Sequence, residues 1–343
     1  MNVIETHGLT KSYGATRAVD SLDMRVARGD IYGFVGKNGA GKSTTMKMLA
    51  GLSTPTAGTM KLFGAEAENT PAFSSAFSRI GALIENPGLL PNFSAFENLM
   101  MKALSIGVVN PRAQCVELLE LVGLDPASPR KTKKFSLGMK QRLGIALALV
   151  GSPDLLLLDE PFNGIDPEET RALRSALMRL NHERGVTMVI SSHVLDQLNR
   201  MATRFGVIRS GRMVREFTEE ELHAACGSSV RVKTTDPARS LAILEEHLPG
   251  AAFRVEPDGG IMITGASGAR HAAASFGGAA SDTAMTGAPA AEDVSRVLAA
   301  ASQTIIELSV IERDFEEYFV ELMGDTVNEP ADAERVGATR RGR

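Results

Sequence analysis

The residues Gly36-Lys37-Asn38-Gly39-Ala40-Gly41-Lys42-Ser43 fit the spacing G-x-x-x-x-G-K-[ST]. In such a loop the glycines let successive backbone N–H groups converge on phosphate oxygens. An apolar run at 31–35 leads in and a helical pattern leads out from Lys42, so the loop stands at a helix N-terminus, where the dipole also favours anions. Lys42 is then placed to reach the β- and γ-phosphates of a nucleotide and the Ser43 hydroxyl to ligate Mg²⁺, with Thr44 beside them. A second block, Leu155-Leu156-Leu157-Leu158-Asp159-Glu160, is an unbroken apolar run ending in two carboxylates. That pattern suits a strand buried on both faces, with its acids at the C-terminal edge of a sheet. Asp159 is expected to hold the Mg²⁺ shell and Glu160 to polarise an attacking water. The two blocks together read as a nucleoside triphosphatase.

Five further features resemble the nucleotide-binding subunits of ABC transporters. Phe135-Ser136-Leu137-Gly138-Met139-Lys140-Gln141-Arg142 is similar to the ABC signature; it departs from the commonest form, Leu-Ser-Gly-Gly-Gln, at three positions and keeps Ser136 and Gly138. A serine hydroxyl at a helix N-terminus makes an anion site. The resemblance implies that this site faces the γ-phosphate bound by the other subunit, so that two chains clamp two ATP molecules between them as a homodimer. Asn163-Gly164-Ile165-Asp166 matches the D-loop, whose aspartate, here Asp166, links the two composite sites. His193, directly after a predicted strand, matches the switch histidine that contacts the γ-phosphate; the other five histidines read as ordinary. Tyr13 is placed like the aromatic that stacks on adenine, in a chain with 3 Tyr and 0 Trp.

The fifth feature is a departure. Where most ABC proteins have a glutamine between phosphate loop and signature, this chain reads Ile84-Glu85-Asn86-Pro87. That resembles the bacterial transporters of the bacitracin-resistance and lantibiotic-immunity type, as does Ser136-Leu137-Gly138-Met139-Lys140-Gln141-Arg142. Glu85 still offers a carboxylate oxygen to Mg²⁺ or to the water. By the same resemblance the stretch 86–98, with Pro87, Pro91, Phe93 and Phe96, receives the coupling helix of a separate multi-span membrane subunit. Export of an antimicrobial peptide or drug is the activity implied.

Positioning these residues requires an α/β pattern, which the sequence shows up to about Phe217. Strands are expected at 31–35, 155–158, 187–191 and 204–209, and helices at 42–50, 112–122, 137–150 and 167–184. Ser136 and Asp166 stand as N-caps, the latter followed by proline at the first helical position. Beyond, alternation at 229–234, a helix after Asp236-Pro237, strands at 252–256 and 260–264 flanking Pro257-Asp258-Gly259, a helix at 292–301 and a strand at 304–310 give the order β-α-β-β-α-β. The expected fold is therefore a P-loop NTPase ABC cassette, with a RecA-like core and a helical subdomain, over 1–220. A small α+β ferredoxin-like domain follows over 228–323 and ends in an amphipathic helix at 312–323. Its segment 265–291, dominated by Ala, Gly, Ser and Thr, reads as a flexible insertion, and 324–343 as a disordered tail. A dimerisation or regulatory role is expected of this small domain.

Composition excludes several classes. The chain has 343 residues, 43% hydrophobic and 23% charged, with a net charge of −4. No global basic field draws it to nucleic acid. Its longest apolar runs fall well short of the roughly 20 residues a bilayer requires, and its N-terminus lacks a signal-peptide pattern. Two isolated cysteines, Cys115 and Cys226, form no framework and are expected to be reduced. The expectation is a peripheral protein on the cytoplasmic face of the membrane. A cassette acting on ribosomes or DNA would bring a second phosphate loop or sustained heptads, and neither occurs here.

Overall fold

The computed structural model describes residues 1–66, 71–226, 228–265, 290–312 and 315–324. The chain opens with two long antiparallel strands, β1 (Asn2–Tyr13) and β2 (Thr16–Ala27). β3 (Ile31–Val35) and α1 (Lys42–Leu49) follow, then β4 (Ala57–Leu62), the short β5 (Ala65–Glu66), α2 (Pro71–Ala76) and β6 (Ile80–Leu83). Three helices come next: α3 (Ala95–Ser105), α4 (Pro111–Leu121) and α5 (Leu137–Leu149). The chain then alternates through β7 (Leu155–Asp159), α6 (Pro167–Arg184), β8 (Thr187–Ser192), α7 (Asp196–Asn199), β9 (Arg204–Arg209), β10 (Arg212–Thr218) and α8 (Glu219–Cys226).

The central sheet has the order β10-β9-β3-β8-β7-β6, with β10 antiparallel to β9 and the remaining pairs parallel. β3, β7 and β8 are buried at every position. Such continuous burial needs cover on both faces, and two cores supply it. Leu156 and Leu158 pack with Leu99, Leu119 and Leu143 of the helical subdomain, while Leu155 and Leu157 pack with Met46 and Leu49 of α1 and with Leu9 and Leu22 of the first hairpin. One leucine run serves two cores because successive side chains in a strand point to opposite faces.

The sheet β2-β1-β4-β5 has no counterpart among the strands expected from sequence. β1 carries register shifts between Asn2 and Ile4, Thr6 and Leu9, Leu9 and Lys11, and Lys11 and Ser12, which break the alternation that betrays a strand; β2 alternates exposed and buried residues from Ser21 to Val26, a signal the sequence did carry.

A smaller unit comprises β11 (Ser228–Thr234), α9 (Pro237–His247), β12 (Ala251–Val255), β13 (Ile261–Gly265), α10 (Ala291–Ala300) and β14 (Ile305–Glu312). Its sheet order β12-β13-β11-β14, antiparallel throughout, is ferredoxin-like. Val230, Val232, Ile261 and Ile263 meet Leu244, Val294 and Leu298 of the two helices in its core. On the outer face Arg231 pairs with Glu256 at 2.7 Å, with Glu307 at 3.1 Å and with Asp258. Most of the expected insertion (266–289) and the tail from 325 lie outside the described residues.

The last helix, α11 (Phe315–Met323), corrects the expectation that it completes the small domain. It packs on the cassette: Tyr318 and Phe319 are buried in the larger cassette core. The Phe319 ring lies 6.2 Å from that of Phe205 and 5.5 Å from that of Phe217. Arg215 donates to the Tyr318 hydroxyl at 3.0 Å, and Arg209 donates to the Gly324 carbonyl at 2.6 Å, close beyond the end of the helix.

Candidate nucleotide site

Parallel pairing brings the site together. Val35 lies opposite Ser192, and Asp159 opposite Ser191, so the ends of β3, β7 and β8 form one row at the C-terminal edge of the sheet. The phosphate loop leaves β3 from this row. Gly36 has no room for a side chain, since a Cβ there would stand 2.5 Å from the Ile208 carbonyl oxygen. Gly41, with φ of 112°, sits at the N-cap of α1, and its added Cβ would meet the Ala18 carbonyl oxygen at 2.6 Å. Between them Lys37, Asn38, Gly39 and Ala40 form the turn, closed by the Ala40 N–H donating to the Lys37 carbonyl at 3.1 Å. The Lys42 ammonium is buried within it, donating to the Gly36 carbonyl at 2.7 Å and lying 3.4 Å from Glu160 Oε1. Ser43 and Thr44 follow in the first turn of α1, both half-buried.

Asp159 is 5% exposed, and its Oδ1 accepts from the Ser191 hydroxyl at 2.6 Å. The same Ser191 oxygen accepts from the Glu160 N–H at 2.9 Å. Glu160 has φ of 49°, a left-handed conformation unusual for a residue with a Cβ. Ser191 on one side and Gln141, whose amide donates to the Glu160 carbonyl at 3.3 Å, hold it there. The turned backbone presents the carboxylate to the site: Oε2 lies 2.8 Å from His193 Nδ1, while Oε1 is buried with no hydrogen-bond partner. His193 is itself exposed. Phosphate loop, both carboxylates and the histidine are thus assembled in one place. The parts of Ser191 and Gln141 were not drawn from the sequence; each side chain looks ordinary until the strand pairing places it.

Ser136 caps α5, its hydroxyl accepting from the Met139 N–H at 3.2 Å. Gly138 is buried within the first turn, and a Cβ there would stand 3.1 Å from Glu169 Oε2 and 3.8 Å from the Gly164 carbonyl. Gly164 in turn has φ of 71°, and a Cβ would strike Leu137 at 2.4 Å. Signature and D-loop are therefore packed together within one chain. Asp166 caps α6 by accepting from the Glu168 N–H at 3.0 Å. Arg142 ties the same region, donating to Glu169 Oε1 at 2.8 Å and to the Gly123 carbonyl at 2.9 Å.

Tyr13 ends β1 with 52% of its surface exposed and the Lys11 ammonium 5.2 Å from its ring centre. Glu85, also left-handed at φ of 62°, lies just past β6 and accepts from Lys47 of α1 at 2.5 Å. That hydrogen bond holds the Lys47 ammonium above its ordinary range. Within the stretch 86–98, Pro87 sits against α5, where a Cβ on Gly144 would meet it at 2.7 Å. Phe96 packs on the core and Phe93 is exposed. This stretch and α3 border a cleft of about 450 Å³. Cys115 is buried in the helical subdomain, and burial pushes its thiol up. Among the described residues no helix is long and apolar enough to cross a membrane.

Comparison with known proteins agrees with this geometry. The family model for ABC transporters matches residues 19–163. The bacitracin transport ATP-binding protein BcrA of Bacillus licheniformis is 40% identical over 261 residues, covering 76% of this chain and 84% of that protein. The lantibiotic transport ATP-binding protein SrtF of Streptococcus pyogenes is 39% identical over 214 residues, 62% of this chain and 90% of that one. Among solved structures, the ATP-binding cassette MJ0796, in a dimeric post-hydrolysis state bound to ADP and Pi, superposes with a TM-score of 0.58 at 23% identity, covering 63% of this chain and 98% of that one. A phosphate loop, two strand-end carboxylates, a histidine and a capped signature helix in one fold, shared at this identity over this length, place the chain among the ATP-binding, ATP-hydrolysing subunits of ABC transporters.

Proposed function

We propose that the chain powers export of an antimicrobial peptide or drug through a separate multi-span membrane subunit, on the cytoplasmic face of the membrane. The cargo reading is supported by the names of BcrA and SrtF, and by Glu85 and the Ser136–Arg142 signature, which suit that subgroup. Two chains would close head to tail, the Ser136 hydroxyl, Gly138 and the α5 N-terminus of each meeting the γ-phosphate held by the other. The dimeric state of MJ0796 supports that arrangement. Asp166 would relay between the two sites.

The Ser43 hydroxyl and the Asp159 carboxylate, with Glu160 Oε1 nearby beside Lys42 and accepting no hydrogen bond, make a hard-oxygen set that suits Mg²⁺. Bound there, Mg²⁺ would neutralise charge on the β- and γ-phosphates. Lys42 and the loop N–H groups would bind those phosphates, and Tyr13 would stack on adenine. Glu160 would take the proton of the attacking water, and His193 would orient Glu160 and reach the γ-phosphate. Glu85 would join the metal or the water only after releasing Lys47.

The observation that carries the catalytic reading is the Glu160 carboxylate, strained into place, with one oxygen on His193 and the other free of hydrogen bonds beside Lys42. Replacing this base, Glu160→Gln, is expected to lower ATP hydrolysis by about 10²- to 10⁴-fold while ATP still binds. Hydrolysis at the wild-type rate would remove Glu160 from the chemistry. Purifying the tagged chain from solubilised membranes should also recover a multi-span protein; ribosomes or DNA in its place would overturn the transport reading.

A further inference from the structure

The cleft bordered by the stretch 86–98 is lined largely by apolar or small side chains, among them Ile84, Pro87, Leu90, Met101 and Leu147. Lys102 is the single charged residue of its lining, and no carboxylate is present there. The Lys102 ammonium donates to the Leu147 carbonyl at 2.7 Å and enters no ion pair among the described residues. Glu97, the nearest acid in sequence, is committed to Lys131 and to the Ser94 N–H, and Glu85 to Lys47. Burial pushes the Lys102 ammonium down from its usual range, as expected of a cation withdrawn from water without a counter-charge. Two of its three N–H donors are left for something other than Leu147. A partly dehydrated cation in an apolar cleft costs stability unless the folded protein meets an anion there.

We infer that Lys102 is the specificity determinant of the docking cleft, receiving one carboxylate from the cytoplasmic segment of the membrane subunit while apolar side chains of that segment fill the rest. This rests on the reading of the cleft as the surface that receives that subunit. The occupant is thus a protein segment, apolar on its docking face, with a single Asp or Glu directed at the floor. Charge complementarity selects it over an uncharged or basic segment, which would leave Lys102 buried and unpaired.

The test uses the full chain and the solubilised membrane subunit that copurifies with it. Lys102→Met keeps the stem and removes the charge. It is expected to leave the melting temperature of the isolated chain undiminished and to weaken the complex by about tenfold or more. Lys102→Glu should abolish the complex, and exchanging the matching acid of the membrane subunit for lysine should restore it. Met101→Arg, which fills the cleft by bulk, separates the two readings. If Met101→Arg blocks the complex and Lys102→Met binds like wild type, the carboxylate pairing is wrong and the cleft reading stands. If both variants bind like wild type, both readings fall.

Discussion

The central sheet of the cassette and the sheet of the small unit solve the same packing problem with different strand directions, and only one of them can gather a catalytic site. In the cassette, β3, β7 and β8 run parallel, so their C-terminal ends lie side by side. The phosphate loop, Asp159, Glu160 and His193 therefore leave the sheet along one edge, where helix α1 adds its N-terminus. In the small unit every pairing is antiparallel, so strand ends alternate between edges and no such row exists. Its polar organisation lies instead on an open sheet face, in the Arg231 network. Burial differs in the same sense: β3 and β7 are covered on both faces, whereas the small sheet has helices on one face and charge on the other.

That comparison can be broken or sharpened by mutation. The largest expected effect pairs one substitution in each region. Phe319→Ala opens a cavity against Phe205 and Phe217 and should destabilise the cassette by about 3–5 kcal/mol in denaturant unfolding. Ile263→Ala in the small core should cost about 2–5 kcal/mol and unfold the small unit first, leaving ATP hydrolysis of the isolated chain at its wild-type rate. Equal loss of hydrolysis from both would mean that the two regions fold as one. Next comes Ser191→Ala, which leaves the Glu160 N–H and one Asp159 oxygen without their shared partner. The expected loss is about 1–3 kcal/mol, read as roughly a tenfold or greater fall in kcat with little change in ATP affinity.

The smallest effect is one of pH. The Asp258 carboxyl lies below its ordinary value of 3.8, first through the Gly260 N–H and then through Lys233 and Arg231. A depressed carboxyl stabilises the folded unit fully above that value and loses the contribution as pH falls through the lowered pKa. Unfolding of the small unit should therefore ease only in strong acid, with a shallower acid slope in Asp258→Asn. An unchanged slope would show that the network does not hold the sheet face.

Most of the candidate site was proposed from the sequence because its signals are local. A glycine-rich loop, an apolar run ending in two acids and capped helix starts each declare themselves within a few residues. Ferredoxin-like order was legible for the same reason, from turn residues and alternation. What escaped was mostly long-range or irregular: Ser191 bridging Asp159 and Glu160 across paired strands, Gln141 reaching back to the Glu160 carbonyl, and a first strand whose shifted register hides its period; the alternation of β2 was there to be read. The amphipathic face of α11 was visible in Phe315, Phe319 and Leu322, yet no local pattern could say that its partner is the cassette.

The position of α11 has a mechanical consequence. The chain leaves the cassette after α8, builds the small unit, and returns to the wall formed by β9 and β10, where Arg209 and Arg215 fasten it. A unit attached by one strand of chain swings like a pendulum and samples a wide arc. A unit attached at both ends is a handle: it loses most of that freedom, and a displacement of the wall is delivered to it as displacement rather than dissipated in a linker. Since β9 pairs with β3, from which the phosphate loop springs, the handle is bolted to the strand next to the one that carries that loop. A probe fused beyond α11 would report on the cassette wall, whereas one in the hairpin between β12 and β13 would report on the handle.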